Sequence, residues 1–265
     1  MSIMVEIDGV AATVEAVHRA ASWNYGHYTS MQVRGRAVAG LALHLNRLAE
    51  ASAVLFPGEA APGGDRIREL IGHALGDRDD ASVRVTVLPG ASVMVAVSDP
   101  VPGEPRAPLR VRTTTYEREL PHLKHVATLG LSFHAGEARR AGFDDVLFVR
   151  RDGAITEGSV WNAAFWDGTR VVWPDGPQLT GITMLLLRQG LDRIGVPHVV
   201  RRLTRDDLGG MTAAAAANSH CPAQPIAAVD GWKSPGADEF TGLLWRAWRE
   251  AAWEPVGSST PVAGG

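Results

Sequence analysis

The sequence predicts a mixed α/β (α+β) fold in two domains, and three observations carry that prediction. Apolar residues at helical spacing interleave with strand-like alternating runs in both halves of the chain. Prolines crowd residues 98–108, and the pattern restarts after Pro121. A length of 265 residues is enough for two α/β domains.

In chain order, residues 3–8 read as a short strand ending in the turn pair Asp8-Gly9. YTSMQVR (28–34) alternates like a strand, Gly35-Arg36 resembles a hairpin tip, and 37–41 is its return. LHLNRLAEASAVL (43–55) places its leucines at helical spacing, and a second helix is expected over 65–75. Two apolar alternating runs follow at 81–88 and 91–97. The proline-rich loop leads to a strand at 109–116. In the second half, 132–141 is helical in pattern and Gly142 is placed to stop it. A strand at 146–149, a turn at Asp152-Gly153, and a hairpin of 162–166 with 170–173 across Asp167-Gly168 come next. Residues 181–194 form an amphipathic helix closed by Gly195, and 196–203 another strand. Thr204 can cap a short TRDDL helix. A last helix is expected over 238–253, with Leu243, Leu244, Trp245, Trp248 and Trp253 apolar and the tryptophans read as core or subunit contact. The domains are therefore drawn as 1–116, a linker at 117–123, a second domain at 124–256, and a flexible Gly/Ser/Thr/Pro-rich tail at 257–265.

Composition narrows function mainly by exclusion. A net charge of −3 gives no bulk electrostatic case for nucleic acid or an anionic membrane. No apolar run is long enough to cross a bilayer, and MSIMVEIDGV lacks the basic-then-apolar pattern of a secretory signal. The single cysteine, Cys221, allows no internal disulfide, so a reducing cytoplasm is the expected home. No metal site is expected. The basic residues are the informative ones, because only Lys124 and Lys233 are lysine and the other 24 are arginine. A chain that uses arginine for surface charge leaves its lysines as candidates for chemistry arginine cannot do. Lysine can lose its proton and attack a carbonyl. Lys233 lies in the turn-like DGWKSPG and reads as surface, whereas Lys124 lies in ELPHLKHVATLGL and leads into an apolar segment.

Three further features stand at informative distances from Lys124. TEGSVWN (156–162) sets a carboxylate, Glu157, among small and apolar residues. LTGITM (179–184) opens a helix whose first amides are unpaired donors, to which Thr183 adds a hydroxyl. HLNRL (44–48) carries Arg47 on a helix whose leucines face the core. Taken singly, each has a plain structural reading: a turn carboxylate, a Thr180 N-cap, a solvent-facing arginine.

In this order and spacing the sequence resembles the class IV aminotransferases, the pyridoxal-phosphate (PLP) enzymes of fold type IV. That group includes D-amino acid and branched-chain aminotransferases and aminodeoxychorismate lyase. The resemblance runs from about Glu6 to Asp230. YGHYTSMQV (25–33) is similar to the family's first-domain strand and its Tyr-Gly pair. KHVATLGL (124–131) matches the segment opened by the Schiff-base lysine. TEGSVWN matches TEG-x-x-x-N, and ANSHCPAQPIAAVDG (217–231) matches the last phosphate loop and its following strand.

The resemblance implies two α/β domains with the cofactor, pyridoxal 5′-phosphate, at the domain interface, and a homodimer. It implies that Lys124 holds the cofactor as a Schiff base, yields it to the substrate amine and shuttles the α-proton. Glu157 would keep the pyridine nitrogen protonated. Arg47, Gly181, Ile182, Thr183, Asn218 and Ser219 would bind the cofactor's phosphate side. Tyr25 would stand at the substrate side, with His27, Arg84 and His220 as candidates for substrate binding. The implied partners are a small amine or amino acid and a keto acid. Several positions depart from the family pattern. Leu129 stands where branched-chain enzymes carry a tyrosine, Met184 follows GIT in place of arginine, and Thr29 and Gln32 replace a usual glutamate and arginine. A substrate carboxylate would then be met by other groups, His27, Arg34 or His220. The implied activity is amino transfer. The alternatives are a lyase like aminodeoxychorismate lyase and, third, a non-catalytic relative that keeps the fold for binding.

Overall fold

The computed structural model describes residues 3–103 and 106–257. Residues 258–265, nearly all of the expected flexible tail, lie outside the described residues. The chain divides into two compact units. The first holds residues up to Pro102, Lys124–Ala127 and Ala252 onward, and the second holds Gly103–Leu123 and Thr128–Ala251. The sequence reading opened the second domain at Lys124. The difference arises because Lys124–Ala127 hydrogen-bonds back to a first-unit strand, as described below.

In the first unit, β1 (Ile3–Ile7) and β2 (Val10–Ala11) form a hairpin, followed by α1 (Val14–Ser22), β3 (His27–Arg34) and β4 (Ala37–Ala39). Then come α2 (Leu41–Leu55), α3 (Gly64–Leu75), β5 (Ala81–Leu88) and β6 (Ser92–Ser98). The C-terminal strand Trp253–Pro255 pairs with β4, giving a seven-stranded sheet that is antiparallel throughout. The turn between β3 and β4 has φ of 53° at Gly35 and 58° at Arg36, the left-handed pair that a tight hairpin needs. Period-two alternation buries His27, Thr29, Met31 and Val33 of β3 and exposes Tyr28, Ser30, Gln32 and Arg34 more fully on the other face. Buried Leu41, Leu48, Ala51 and Leu55 of α2 and Ile67, Ile71 and Leu75 of α3 supply this unit's helical contribution to the core. Helix α1, unforeseen from sequence, buries none of its residues. It is started by Thr13, whose hydroxyl accepts the Ala16 amide at 3.2 Å.

The second unit begins with β7 (Leu109–Thr115), α4 (Leu129–Arg140), β8 (Asp145–Val149), β9 (Ile155–Gly158), β10 (Asn162–Trp166) and β11 (Val171–Pro174). It continues with α5 (Ile182–Arg193), β12 (His198–Arg201), β13 (Ala213–Asn218), β14 (Cys221–Val229), β15 (Trp232–Lys233) and α6 (Ala237–Arg249). Its sheet runs β12-β11-β10-β13-β14-β7-β8-β9, and β9 also pairs with β10, so six strands close into a ring. Inside lie Val111, Leu147, Ile155, Trp161, Phe165, Ala214 and Ile226. Outside, α5 and α6 cover Ala164, Trp173, Ala213 and Ala215. Helix α4 covers Val146 and Phe148. Helices α5 and α6 approach so closely that a Cβ on Gly190 would meet the Ala247 carbonyl oxygen at 2.0 Å.

Two local expectations are corrected. Thr204 does not cap the short helix; it donates its amide and hydroxyl to Asp207 at 2.7 Å each, the reverse direction. The carboxylate is the stronger acceptor, so Asp207 closes that turn. The last helix ends at Arg249, and Trp253 is a half-exposed member of the C-terminal strand rather than a helical core residue. Gly142 does stop α4, at φ 83°, with the Phe143 amide reaching back to the Ala138 carbonyl.

Candidate active site

Each unit gathers its own share of the residues singled out in the sequence. In the first unit, Lys124 lies on an extended segment added to the edge of β3 opposite β5. Its carbonyl accepts the Tyr28 amide at 2.9 Å, and Val126 donates to the Gly26 carbonyl at 3.0 Å. The Lys124 side chain is half-buried, with Nζ 4.9 Å from the Tyr28 ring centroid. Arg84 reaches the same ring from β5, its guanidinium carbon 3.6 Å from the centroid. Tyr28 therefore carries both cations on the exposed face of the sheet.

Arg47 and Lys124 share an electrostatic neighbourhood that the sequence did not disclose. His44, one turn before Arg47 on α2, is buried and shares a 2.6 Å hydrogen bond with Thr29 Oγ1. Burial first, then the charges of Arg47 and Lys124, push its imidazole down to about 3, which keeps it neutral. Thr29, noted from sequence only as a departure, thus has a defined partner.

Other candidates in this unit face elsewhere. His27 is fully buried on the core face, shares a 2.9 Å hydrogen bond with Ser52 Oγ, and packs against Phe56. Burial pushes it down to about 4. The Tyr25 hydroxyl donates to the Leu55 carbonyl at 2.7 Å while its ring edge meets Phe56. Arg34 donates to the carbonyls of Val33 and Val101 and to Gln32, which in turn accepts the Val101 amide at 3.0 Å. Arg34 and Gln32 accordingly pin the loop after β6.

In the second unit the TEGSVWN segment builds a rigid turn around Glu157. Gly158 is obligatory there, because a Cβ would lie 2.0 Å from the Trp161 ring. Asp145, buried on β8, accepts Ser159 Oγ at 2.8 Å and Trp161 Nε1 at 3.0 Å. Asn162 pairs directly with Glu157 across β9 and β10, and its amide donates to the Leu179 carbonyl at 2.8 Å. It also abuts Gly181, where a Cβ would meet Asn162 Oδ1 at 2.0 Å. The motif and the start of α5 are therefore interlocked through one asparagine.

Glu157 itself is buried. Its Oε2 accepts the Leu179 amide at 3.3 Å, and its Oε1 faces Arg118 at 3.5 Å. Gly181 is the N-cap of the twelve-residue α5, without a side-chain cap bond, and Ile182 and Thr183 are buried in the first turn. Such a terminus offers backbone amides and a positive dipole end to an anion. At the β13–β14 turn, Asn218 Oδ1 accepts the amides of His220 and Cys221, both at 2.9 Å, leaving Ser219 half-buried and His220 exposed at the tip. Cys221 is buried and its thiol is pushed up by burial, which suits a packing residue. Lys233, the other lysine, is exposed.

His44, Asp145, Asn162 and Arg118 were not foreseen as site residues. Asn162 was the one with a signal, since it closes the TEG-x-x-x-N pattern. Chemically, the first unit presents an amine beside an aromatic ring and a neutral histidine. The second presents a pinned carboxylate and a helix terminus fit for an anion.

A model of the amino-transferase class IV family matches residues 26–229, from the start of β3 to the end of β14. A sequence search of curated proteins found no match. Among solved structures the chain is similar to a hypothetical aminotransferase from Mycobacterium tuberculosis in its PLP-bound form. Identity is 23%, the TM-score is 0.78, and 93% of this chain and 98% of that one are covered. A fold IV transaminase from Curtobacterium pusillum is 24% identical with a TM-score of 0.77, covering 92% and 99%. A branched-chain aminotransferase from Thermoproteus uzoniensis, solved with norvaline, is 19% identical with a TM-score of 0.77, covering 96% and 100%. At such identities the structures speak for a shared fold, while the family match takes in Arg47, Lys124, the TEG-x-x-x-N turn and the start of α5. On that match, the chain belongs to the class IV aminotransferase family.

Proposed function

We propose that this protein is a pyridoxal-phosphate-dependent aminotransferase that carries its cofactor on Lys124 and moves an amino group between an amine or amino acid and a keto acid. The observation that supports it best is the pairing of a half-buried lysine with Arg47 around a neutral His44, in a chain with only two lysines. Each unit carries groups of the kind this cofactor requires. Lys124 offers the amine and Arg47 a phosphate-matching fork. Gly181 leaves the helix start without a Cβ, where a side chain would collide with Asn162, and Glu157 is a buried carboxylate with one oxygen on Leu179 and the other toward Arg118.

When bound, pyridoxal phosphate supplies an aldehyde carbon that amines add to, and a ring that takes up the electron pair left by a departing proton. Lys124 would tether it through Nζ. The same Nζ, when unprotonated, would accept a substrate's α-proton and return it to a neighbouring atom. Glu157 would keep a proton on the ring nitrogen through a charge-assisted hydrogen bond. Arg47 in the first unit and, in the second, the first amides of α5 and the Thr183 hydroxyl are groups that would bind a phosphate, and Asn218 shapes the turn that presents Ser219. Arg84, stacked on Tyr28, and the exposed His220 are the proposed contacts for the substrate carboxylate. His27 and Tyr25 hold α2 against β3 from behind, through Ser52 and Leu55.

The test is a screen of amines and amino acids against keto acids with the purified, cofactor-loaded protein. Catalytic amino transfer without pyruvate release from aminodeoxychorismate is the expected result. Pyruvate release without amino transfer would assign the lyase reaction instead, and neither reaction with any pair would overturn the proposal.

A further inference from the structure

The buried side chain most tightly tied to the candidate site, and unused so far, is Arg118. It sits after β7 in the second unit, with its side chain only 7% exposed, facing a Glu157 side chain that is 8% exposed. One terminal nitrogen lies 3.5 Å from Glu157 Oε1, and the other donates to the Leu123 carbonyl. That carbonyl belongs to the peptide bond leading into Lys124. Nε is buried and has no hydrogen-bond partner among the described residues. The group borders a cavity of about 230 Å³ whose lining includes Tyr116, Arg150, Thr156 and Glu157.

A chain rich in surface arginine has little need to bury one. Removing a guanidinium from water is costly, and a buried ion pair adds little net stability over a well-packed apolar pair. A solely structural account therefore explains Arg118 poorly. What an apolar residue could not do is keep a buried carboxylate charged and fixed in plane. We propose that Arg118 is a positioning residue for the aminotransferase reaction, holding the Glu157 carboxylate ionised and oriented and tying it to the main chain immediately before Lys124. This rests on the role proposed for Glu157 toward the cofactor's ring nitrogen. Without Arg118, burial favours the neutral acid, and a neutral Glu157 no longer secures the ring proton. The guanidinium thus acts on the reaction through the carboxylate, without touching the substrate.

The experiment is a double-mutant cycle on the intact, PLP-loaded protein with Arg118→Met, Arg118→Lys, Glu157→Gln and the Met/Gln double variant, with Arg118→Gln as a substitute should the methionine variant not fold. Four quantities are read: apoprotein Tm, PLP dissociation constant, protonation of the isotope-labelled ring nitrogen by NMR, and kcat and KM separately. Arg118→Met is expected to lose the ring-nitrogen proton, weaken PLP binding and lower kcat about tenfold or more with little change in KM. Arg118→Lys should restore most of the ring protonation. In the Glu157→Gln background, Arg118→Met should change kcat by less than about twofold, because the group it acts through is gone. Effects that multiply in the double variant, or a fall in Tm with ring protonation and kcat intact, would overturn the inference and leave Arg118 a structural residue. A wild-type protein that takes up no PLP would instead overturn the reading of Glu157, and this one with it.

Discussion

Gly181→Ala tests the interlock between the TEG-x-x-x-N turn and the start of α5. The backbone at Gly181 (φ −67°, ψ 138°) is open to any residue, so strain is not at issue. The obstacle is a Cβ 2.0 Å from Asn162 Oδ1. Asn162 is buried on β10 and cannot swing away while its amide donates to Leu179 at 2.8 Å. Relief requires that bond to break, which costs about 1 kcal/mol for the bond and about 1–3 kcal/mol for the polar groups left unpaired. Alanine is also a poorer N-cap than glycine, by about 0.5–1 kcal/mol. The expected loss is therefore about 2–4 kcal/mol, or a Tm lower by roughly 5–12 °C for a unit of this size. Urea denaturation of the single variants and of Gly181→Ala with Asn162→Ala provides the assay. With the asparagine truncated the clash is gone, and the alanine should then cost under about 1 kcal/mol. A single variant as stable as wild type, or two effects that simply add, would refute the interlock.

Two further outcomes follow from the same geometry. Folded His27 and His44 hold their imidazoles neutral, at about 4 and about 3, against an ordinary 6.5. Unfolded, both take protons below about pH 6.5, so their stabilisation is full above that pH and is lost as pH falls toward 4, at up to about 1.4 kcal/mol per pH unit for each. Urea denaturation across pH 4–7 should show this slope, roughly halved in His27→Gln; a flat profile would contradict it. Asp145→Ala strips the acceptor from Ser159 and Trp161, and should destabilise the protein by about 2–4 kcal/mol while lowering PLP affinity through the Glu157 turn. An unchanged Tm would show that the turn holds without its carboxylate.

Local chemistry decided which elements were legible in the sequence. Gly35-Arg36 permits the left-handed pair that makes β3 and β4 a hairpin, and the leucines of α2 repeat at helical spacing because they face one core. Strand β13 had no such signal. Ala213–Ala217 is an alanine run of the best helix-forming residue, yet it is a central strand. It lies between β10 and β14 with α5 and α6 over one face, where only small side chains fit and tertiary packing overrides propensity. Helix α1 was missed for the opposite reason: it has almost nothing to bury, so its pattern points to no core. In the site, Lys124 stood out by rarity, but Arg118 could not, being one of 24 arginines. Its importance depends on burial against Glu157, which is long-range information. His44 and Asp145 were hidden likewise, their roles fixed by partners fourteen to sixteen residues away, at Thr29 and in the Ser159–Trp161 turn. The domain boundary drawn at Lys124 followed the restart of the pattern after Pro121, whereas the chain itself returns that segment to β3 through two backbone hydrogen bonds.

Because the chain has only two lysines, the claim about Lys124 can be tested in one measurement. The protein is loaded with pyridoxal phosphate, reduced with borohydride, digested and mapped by mass spectrometry. The account predicts a phosphopyridoxyl group on the peptide containing Lys124 and none on that containing Lys233, with the label abolished in a folded Lys124→Ala variant. Labelling of Lys233 alone, or of neither lysine in protein saturated with PLP, would contradict it.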